Sequence, residues 1–245
     1  MKKESCILLL LLTACCFSYA QTTITNVTVK RDGQLNESSI VMDAYGNHYA
    51  YEDWTKLMQT GNYRIKKDTA KGKTGIYIIS RLTPEGKQAL IEAAPRPKES
   101  EFFVTGTKFE PFKTKDINGT KINLKDLAGK VIVLNFWFIN CPPCRTEIPD
   151  LNELVKFYGS DTNTVFIAIA LDSRRELKDF LKQMPFDYNI IDDGQFLANR
   201  YGIKAYPTNV VVDGQGIIRF HSSGYSIATA YWIKKAIGEA KGQQP

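Results

Sequence analysis

Two runs in the second half of the chain are almost free of polar residues: VIVLNF at residues 131–136 and TVFIAIAL at residues 164–171. Successive side chains of a strand point to opposite faces, so a run apolar at every position predicts a strand covered on both sides. Between the two runs Ile148, Leu151, Leu154, Val155 and Tyr158 recur at helical spacing, and residues 174–184 predict another helix. YNII at 188–191 predicts a short strand and residues 195–201 a short helix. TNVVVDGQGIIRFHSSG then reads as a hairpin turning at Gly214, Gln215 and Gly216. Residues 227–240 predict a closing helix with Ala230, Ile233, Ile237 and Ala240 inward, and INGTKINL predicts a strand pair turning at Asn118 and Gly119. Doubly buried strands alternating with helices predict an α/β region, a central mixed sheet with helices on both faces.

The first half carries a weaker pattern. TITNVTVK at 23–30 alternates like a strand, residues 51–59 predict a short helix ended by Gly61, and residues 63–65 and 76–82 predict strands joined through a Lys/Gly-rich turn. Thr83 and Pro84 open a helix that reaches Ala93. AAPRPKESE at 93–101 then breaks the periodicity and reads as a linker. The expected organisation is a signal at 1–20, a small α+β module of unknown function at 21–98, and the α/β region at 99–245. Tyr45, Tyr49, Tyr51, Trp54, Tyr63 and Tyr77 are expected to fill a module core poor in Leu, a partner-binding face being the alternative. Arg64, Lys66, Lys67, Lys71 and Lys73 predict a solvated hairpin surface rather than an anion site.

The extreme N-terminus changes the picture. Lys2 and Lys3, the apolar stretch ILLLLLTACCF and then Ser18, Tyr19 and Ala20 have the order of a secretory signal, with cleavage expected after Ala20. The apolar stretch is well short of the roughly 20 residues that span a bilayer. Leu12-Thr13-Ala14-Cys15 offers a second route, a lipobox that would leave a lipid anchor on Cys15. Under the first route Cys6, Cys15 and Cys16 depart, and the mature chain keeps only Cys141 and Cys144 in a compartment where thiols oxidise. Its charge, 30 basic against 25 acidic residues, is spread without a long basic block, so no nucleic-acid partner is expected. With 43% hydrophobic and 24% charged residues, neither disorder nor a collagen-like repeat is expected.

Cys141-Pro142-Pro143-Cys144 falls where the first apolar strand gives way to a helix. A thiol reacts as thiolate, and a helix N-terminus offers unpaired N–H groups and the positive end of the dipole. The two prolines tolerate the first helical turn and hold Cys144 one turn behind Cys141, within disulfide reach. A structural zinc site needs about four ligands, and the mature chain adds only the distant His48 and His221, so no metal is expected. A staple closing so short a loop adds little stability. A redox dithiol fits a two-residue spacing beside a βαβ pattern.

NFWFINCPPCRTEIPDL together with YGIKAYPTNVVVDGQGII resembles the thioredoxin superfamily, specifically its TlpA/ResA-like extracytoplasmic thiol-disulfide oxidoreductases, over about residues 105 to 241. Asn135 and Trp137 on the strand, the dithiol, Arg145 and Glu147 after it, Pro149 in the helix, and Tyr206-Pro207-Thr208 before an apolar strand carry the match. The resemblance implies a thioredoxin-like fold and a protein-disulfide reductase without a cofactor beyond the Cys141–Cys144 disulfide. It implies that Cys141 attacks a substrate disulfide, that Cys144 resolves the mixed disulfide, and that an upstream envelope or membrane donor restores the dithiol. It also implies that Glu147 tunes or relays a proton, a surface Glu or an Arg145 partner being the alternative, and that Pro207 is cis beside the dithiol. Tyr206 would then pair through its backbone with the substrate chain, and Asn140, Pro142, Pro143 and Trp137 would form the surrounding surface. Protein thiols and disulfides of the periplasm or cell envelope are the implied partners, apocytochrome c cysteines among them.

Two departures stand out: Asn140 replaces the Trp usual before the first cysteine, and Asn135 stands where cytosolic thioredoxins bury an aspartate. Two other functions compete. A binding or scaffold protein would keep a redox-inert thioredoxin-like domain, and a peroxiredoxin-like peroxidase would need a Thr where Phe138 and Ile139 stand.

Overall fold

Apolar strands without a polar face persist only where both faces are covered, and in this molecule the covering is done by three helices on one side and by a short helix with a loop-rich layer on the other. The computed structural model describes residues 35–70 and 75–242. The leader, Cys15, the 23–30 strand, Lys71 and Lys73 lie outside the described residues, which from Leu35 onward form one compact unit.

The module comprises β1 (Ile40–Met42), β2 (His48–Tyr49), α1 (Tyr51–Gln59), β3 (Tyr63–Lys67), β4 (Ile76–Arg81) and α2 (Pro84–Ala93). Its sheet runs β2-β1-β4-β3, with β1 parallel to β4 and the other pairs antiparallel. Thr83 caps α2 through its hydroxyl, which accepts the Gly86 N–H, and Pro84 occupies the first turn. β1 and β2 were not expected: strands of two or three residues carry no readable period. Trp54 and Tyr77 lie in the module core with Val41 and Ile79, and Tyr49 and Tyr63 pack beside them. Tyr45 and Tyr51 are exposed, so the expected aromatic core is made by only part of the set.

The larger region contains β5 (Lys113–Lys115), β6 (Lys121–Asn123), β7 (Val131–Trp137), α3 (Pro142–Phe157), β8 (Thr164–Ala170), α4 (Arg174–Gln183), β9 (Asn189–Ile191), α5 (Gln195–Arg200), β10 (Thr208–Val212), β11 (Ile218–Ser223) and α6 (Thr229–Ala240). The β5–β6 hairpin turns through Asn118 and Gly119 as expected, the Asp116 carboxylate accepting the N–H groups of Asn118 and Thr120. Its paired residues flank the turn more widely than INGTKINL suggests.

The central sheet has the order β11-β10-β7-β8-β9, in which β7, β8 and β9 are parallel and β10 and β11 antiparallel to their neighbours. Strand parity sorts the core. Val131, Val133 and Trp137 face Ile148, Leu151 and Leu154 of α3, Leu177 of α4 and Ile233 and Ile237 of α6. Ile132, Leu134 and Phe136 face Phe109, Phe112, Leu124 and Leu197 on the opposite side. On α6, Ala236 joins Ile233 and Ile237 in the core, while Ala230 and Ala240 sit half-buried at its edge.

The module and this region meet at α3. α1 packs beside it, and Lys87 of α2 forms an ion pair with Asp150. The segment read as a linker lies along β11: the Ser223 N–H donates to the Lys98 carbonyl (2.9 Å), the Ser100 N–H to His221 Nδ1 (3.0 Å), and the Arg96 guanidinium stacks 5.1 Å from the Trp232 ring.

Close packing of α5 against β8 is set at Gly194. A Cβ there would come within 2.4 Å of Ile169 Cγ2 and 2.7 Å of the Ala170 carbonyl oxygen. Gly194→Ala is therefore expected to destabilise the fold by about 1–3 kcal/mol, read as a lower urea midpoint with an unchanged slope.

Candidate active site

The end of β7 delivers the chain to the start of α3, and two bonds hold the turn between them. The Leu171 N–H donates to the Trp137 carbonyl (3.1 Å), and the Ile139 N–H donates to Asp172 Oδ2 (2.8 Å). Burial raises the Asp172 carboxyl above the ordinary aspartate range, with the Ile139 N–H opposing it. Trp137 is fully buried, with the Phe186 and Phe180 rings 5.5 and 5.6 Å away, so it lies beneath the site. Asn140 is exposed.

Cys141 is the N-cap of α3, and Pro142 and Pro143 are the first two helical residues. Neither proline has an N–H, so the first free amide of the helix is that of Cys144. It donates to Cys141 Sγ at 3.2 Å. The two cysteines form a disulfide with Cα atoms 5.3 Å apart, and both are buried. An amide and the positive end of a helix dipole beside a sulfur are the surroundings that favour a thiolate. Pro142 is exposed and Pro143 half-buried, so the prolines form the outer edge of the dithiol.

Glu147 follows Cys144 by three residues, on the same side of α3. It is buried, and its Oε1 accepts Asn135 Nδ2 at 2.7 Å and Asn209 Nδ2 at 3.2 Å, with Oε2 3.4 Å from the latter. Asn135 shares the parity of Val133 on β7 and Asn209 that of Val211 on β10; the two are cross-strand partners, so both amides face α3. Burial pushes the Glu147 carboxyl up to about 8, the two amides pull it down, and Asp150 adds a smaller upward push. Neither a surface glutamate nor an Arg145 pair describes it: the Arg145 guanidinium lies over the Phe180 ring, 5.6 Å from its centre. Tyr188, also buried, has a hydroxyl with no hydrogen-bond partner among the described residues, and burial holds it well above the usual tyrosine range.

The Tyr206–Pro207 peptide bond is cis. Pro207 is buried, its carbonyl accepting the Gly224 N–H at 2.8 Å, while Tyr206 is half-buried and meets Phe138 edge-on at 5.4 Å. The structure thus joins Cys141, Cys144 and Glu147 along the first turns of α3, and brings Tyr206 to the turn that carries Asn140. Asn209, Asp172 and Tyr188 were not singled out in the sequence. The available signal was Asn209 itself, an amide inside a strand otherwise made of Thr and Val. Among the described residues no three His, Cys, Asp or Glu side chains form a metal-holding group, and no helix is long and apolar enough to cross a membrane.

The AhpC/TSA family profile matches residues 105–221. The thiol-disulfide oxidoreductase ResA of Bacillus thuringiensis (strain Al Hakam) is 34% identical over 119 residues, 48% of this chain and 69% of that protein. A ResA of Bacillus cereus is 30% identical over 147 residues, 60% of this chain and 77% of that one. A crystal structure of a candidate thiol:disulfide interchange protein DsbE from Chlorobium tepidum superposes with a TM-score of 0.51 at 26% identity, covering 56% of this chain and 98% of that one.

The folded protein holds the Glu147 proton up to about pH 8, whereas the unfolded chain releases it near 4.5, the ordinary glutamate value. Between these limits the folded state binds more protons, so stability is expected to fall as pH rises, by at most on the order of 5 kcal/mol. Urea unfolding of the oxidised protein across this range checks it: Glu147→Gln, the isostere of the protonated acid, should flatten the dependence.

Proposed function

This chain belongs to the family of ResA thiol-disulfide oxidoreductases, and from that premise we propose that it is an exported reductase of envelope protein disulfides working through Cys141 and Cys144. The observation that carries the reading is Cys141 Sγ at the head of α3, receiving the one free amide of the first turn and bonded to Cys144.

Cys141, as thiolate, attacks one sulfur of a substrate disulfide. A Cys141–substrate S–S bond forms while the substrate bond breaks, and the leaving sulfur takes the electron pair and then a proton. Cys144 loses its proton and attacks Cys141 Sγ, closing the intramolecular disulfide and releasing the second substrate sulfur as a thiol. Two electrons pass to the substrate, and an upstream envelope or membrane dithiol must return them. Glu147 suits the proton step, because a carboxyl titrating at about 8 exchanges its proton in the same range as a thiol.

Asn140, Pro142 and Pro143 form the outer surface a substrate meets, the Tyr206 backbone before cis Pro207 pairs with its chain, and Trp137 supports them from below. Apocytochrome c cysteines are the substrate class the family resemblance favours. Export rests on the leader at residues 1–20, with the module at 21–98 preceding the thioredoxin-like domain at 99–245. The lipobox ending at Cys15 supports a second form, anchored by lipid in the envelope.

Insulin reduction by the dithiol form tests the reaction. Cys141→Ser should abolish it, and Cys144→Ser should accumulate a mixed disulfide visible on a non-reducing gel. Equal activity in Cys141→Ser, or a pair that glutathione cannot reduce under native conditions, would remove the enzyme reading. The mass of the mature protein separates a start at Gln21 from a lipidated Cys15.

A further inference from the structure

Asn209 is fully buried in β10, where an amide costs stability unless its polar atoms are paired. Both are. Its Oδ1 accepts Asn135 Nδ2 at 2.9 Å, and its own Nδ2 lies 3.2 Å from Glu147 Oε1 and 3.4 Å from Oε2. The remaining hydrogen of Asn135 Nδ2 goes to Glu147 Oε1 at 2.7 Å. Turning the Asn209 amide over would set two NH2 groups against each other at Asn135 and a carbonyl against the carboxylate. Its NH2 group therefore has to face Glu147.

The carboxyl is left asymmetric. Oε1 is occupied by two N–H donors, and Oε2 by one long contact. A proton on Oε1 would point at those donors, so the neutral acid carries its proton on Oε2. We propose that Asn209 is a positioning residue which, with Asn135, fixes Oε1 of Glu147 as the permanent acceptor and Oε2 as the atom that gains and loses the proton. The proposal deepens, and rests on, the reading of Glu147 as the proton partner of the dithiol.

The other groups that face this carboxyl do not replace Asn209. Asp150, on the same helix, is paired with Lys87 of α2. Tyr188, ahead of β9, is held neutral by burial, and Tyr225, after β11 and exposed at its outer side, is pushed up to about 12 by the partial desolvation of its hydroxyl. Cys141 and Cys144 are joined in the oxidised form. Asn135 alone would leave the carboxyl with one donor.

The test follows the Glu147 carboxyl by infrared spectroscopy in the full oxidised chain, the protonated-acid band being the one that Glu147→Gln removes. In Asn209→Ala the midpoint of that band should move up by about one to two pH units, the loss of a hydrogen bond to a charged group. Asn209→Ser, which keeps a shorter donor, should fall between this and wild type, and gives the reading if the alanine variant does not fold. A midpoint unchanged in either folded variant overturns the proposal. Insulin reduction against pH separates it from its premise: a band that moves while the rate profile stays still keeps Asn209 as the clamp and removes Glu147 from the reaction.

Discussion

A helix that begins with two prolines has lost the first amides it would offer its cap, and the site is organised around the amide that is left. With Pro142 and Pro143 at the head of α3, an N-cap side chain can reach only the N–H of Cys144. That residue is also the disulfide partner, so one short turn supplies both the second sulfur and the amide beside Cys141 Sγ. The requirement extends outward. β7 has to end at Trp137, and the turn after it has to be held by Asp172, or the sulfur would not sit on the helix end.

Burying Glu147 is the second demand on α3. A carboxyl taken from water favours its neutral form, and the two amides offset only part of that cost, which leaves it titrating at about 8. Two strands have to present an asparagine at the same level and on the same face, and the pairing of Asn135 with Asn209 does this. Ile148, Leu151 and Leu154 hold the helix against the sheet, while the module meets it from outside through α1 and the Lys87–Asp150 pair. The helix that carries the dithiol is thus gripped from both sides.

The sheet was legible because its evidence is local. Val131–Trp137 and Thr164–Ala170 are apolar at every position or nearly so, and only a doubly covered strand tolerates that. The dithiol was legible for a related reason: Cys-Pro-Pro-Cys at a strand-to-helix change is a contiguous pattern. β1 and β2 were not, since two or three residues carry no period and their strand character comes from pairing, β1 with β4 and β2 with β1. Asp172 and Tyr188 look like ordinary loop and strand-edge residues until the chain closes around them.

By itself the sequence determined where the longer strands and helices fall, which helix end receives the cysteines, and that this end offers Cys141 unpaired N–H groups, because each of these depends on neighbours within a few residues. Tertiary structure alone decided the protonation of Glu147. Glu147 and Asn209 are 62 residues apart, and the burial that pushes the carboxyl up arises only when α3 lies across β7 and β10. Desolvation belongs to the packed interior rather than to any stretch of chain, so no local pattern could carry it.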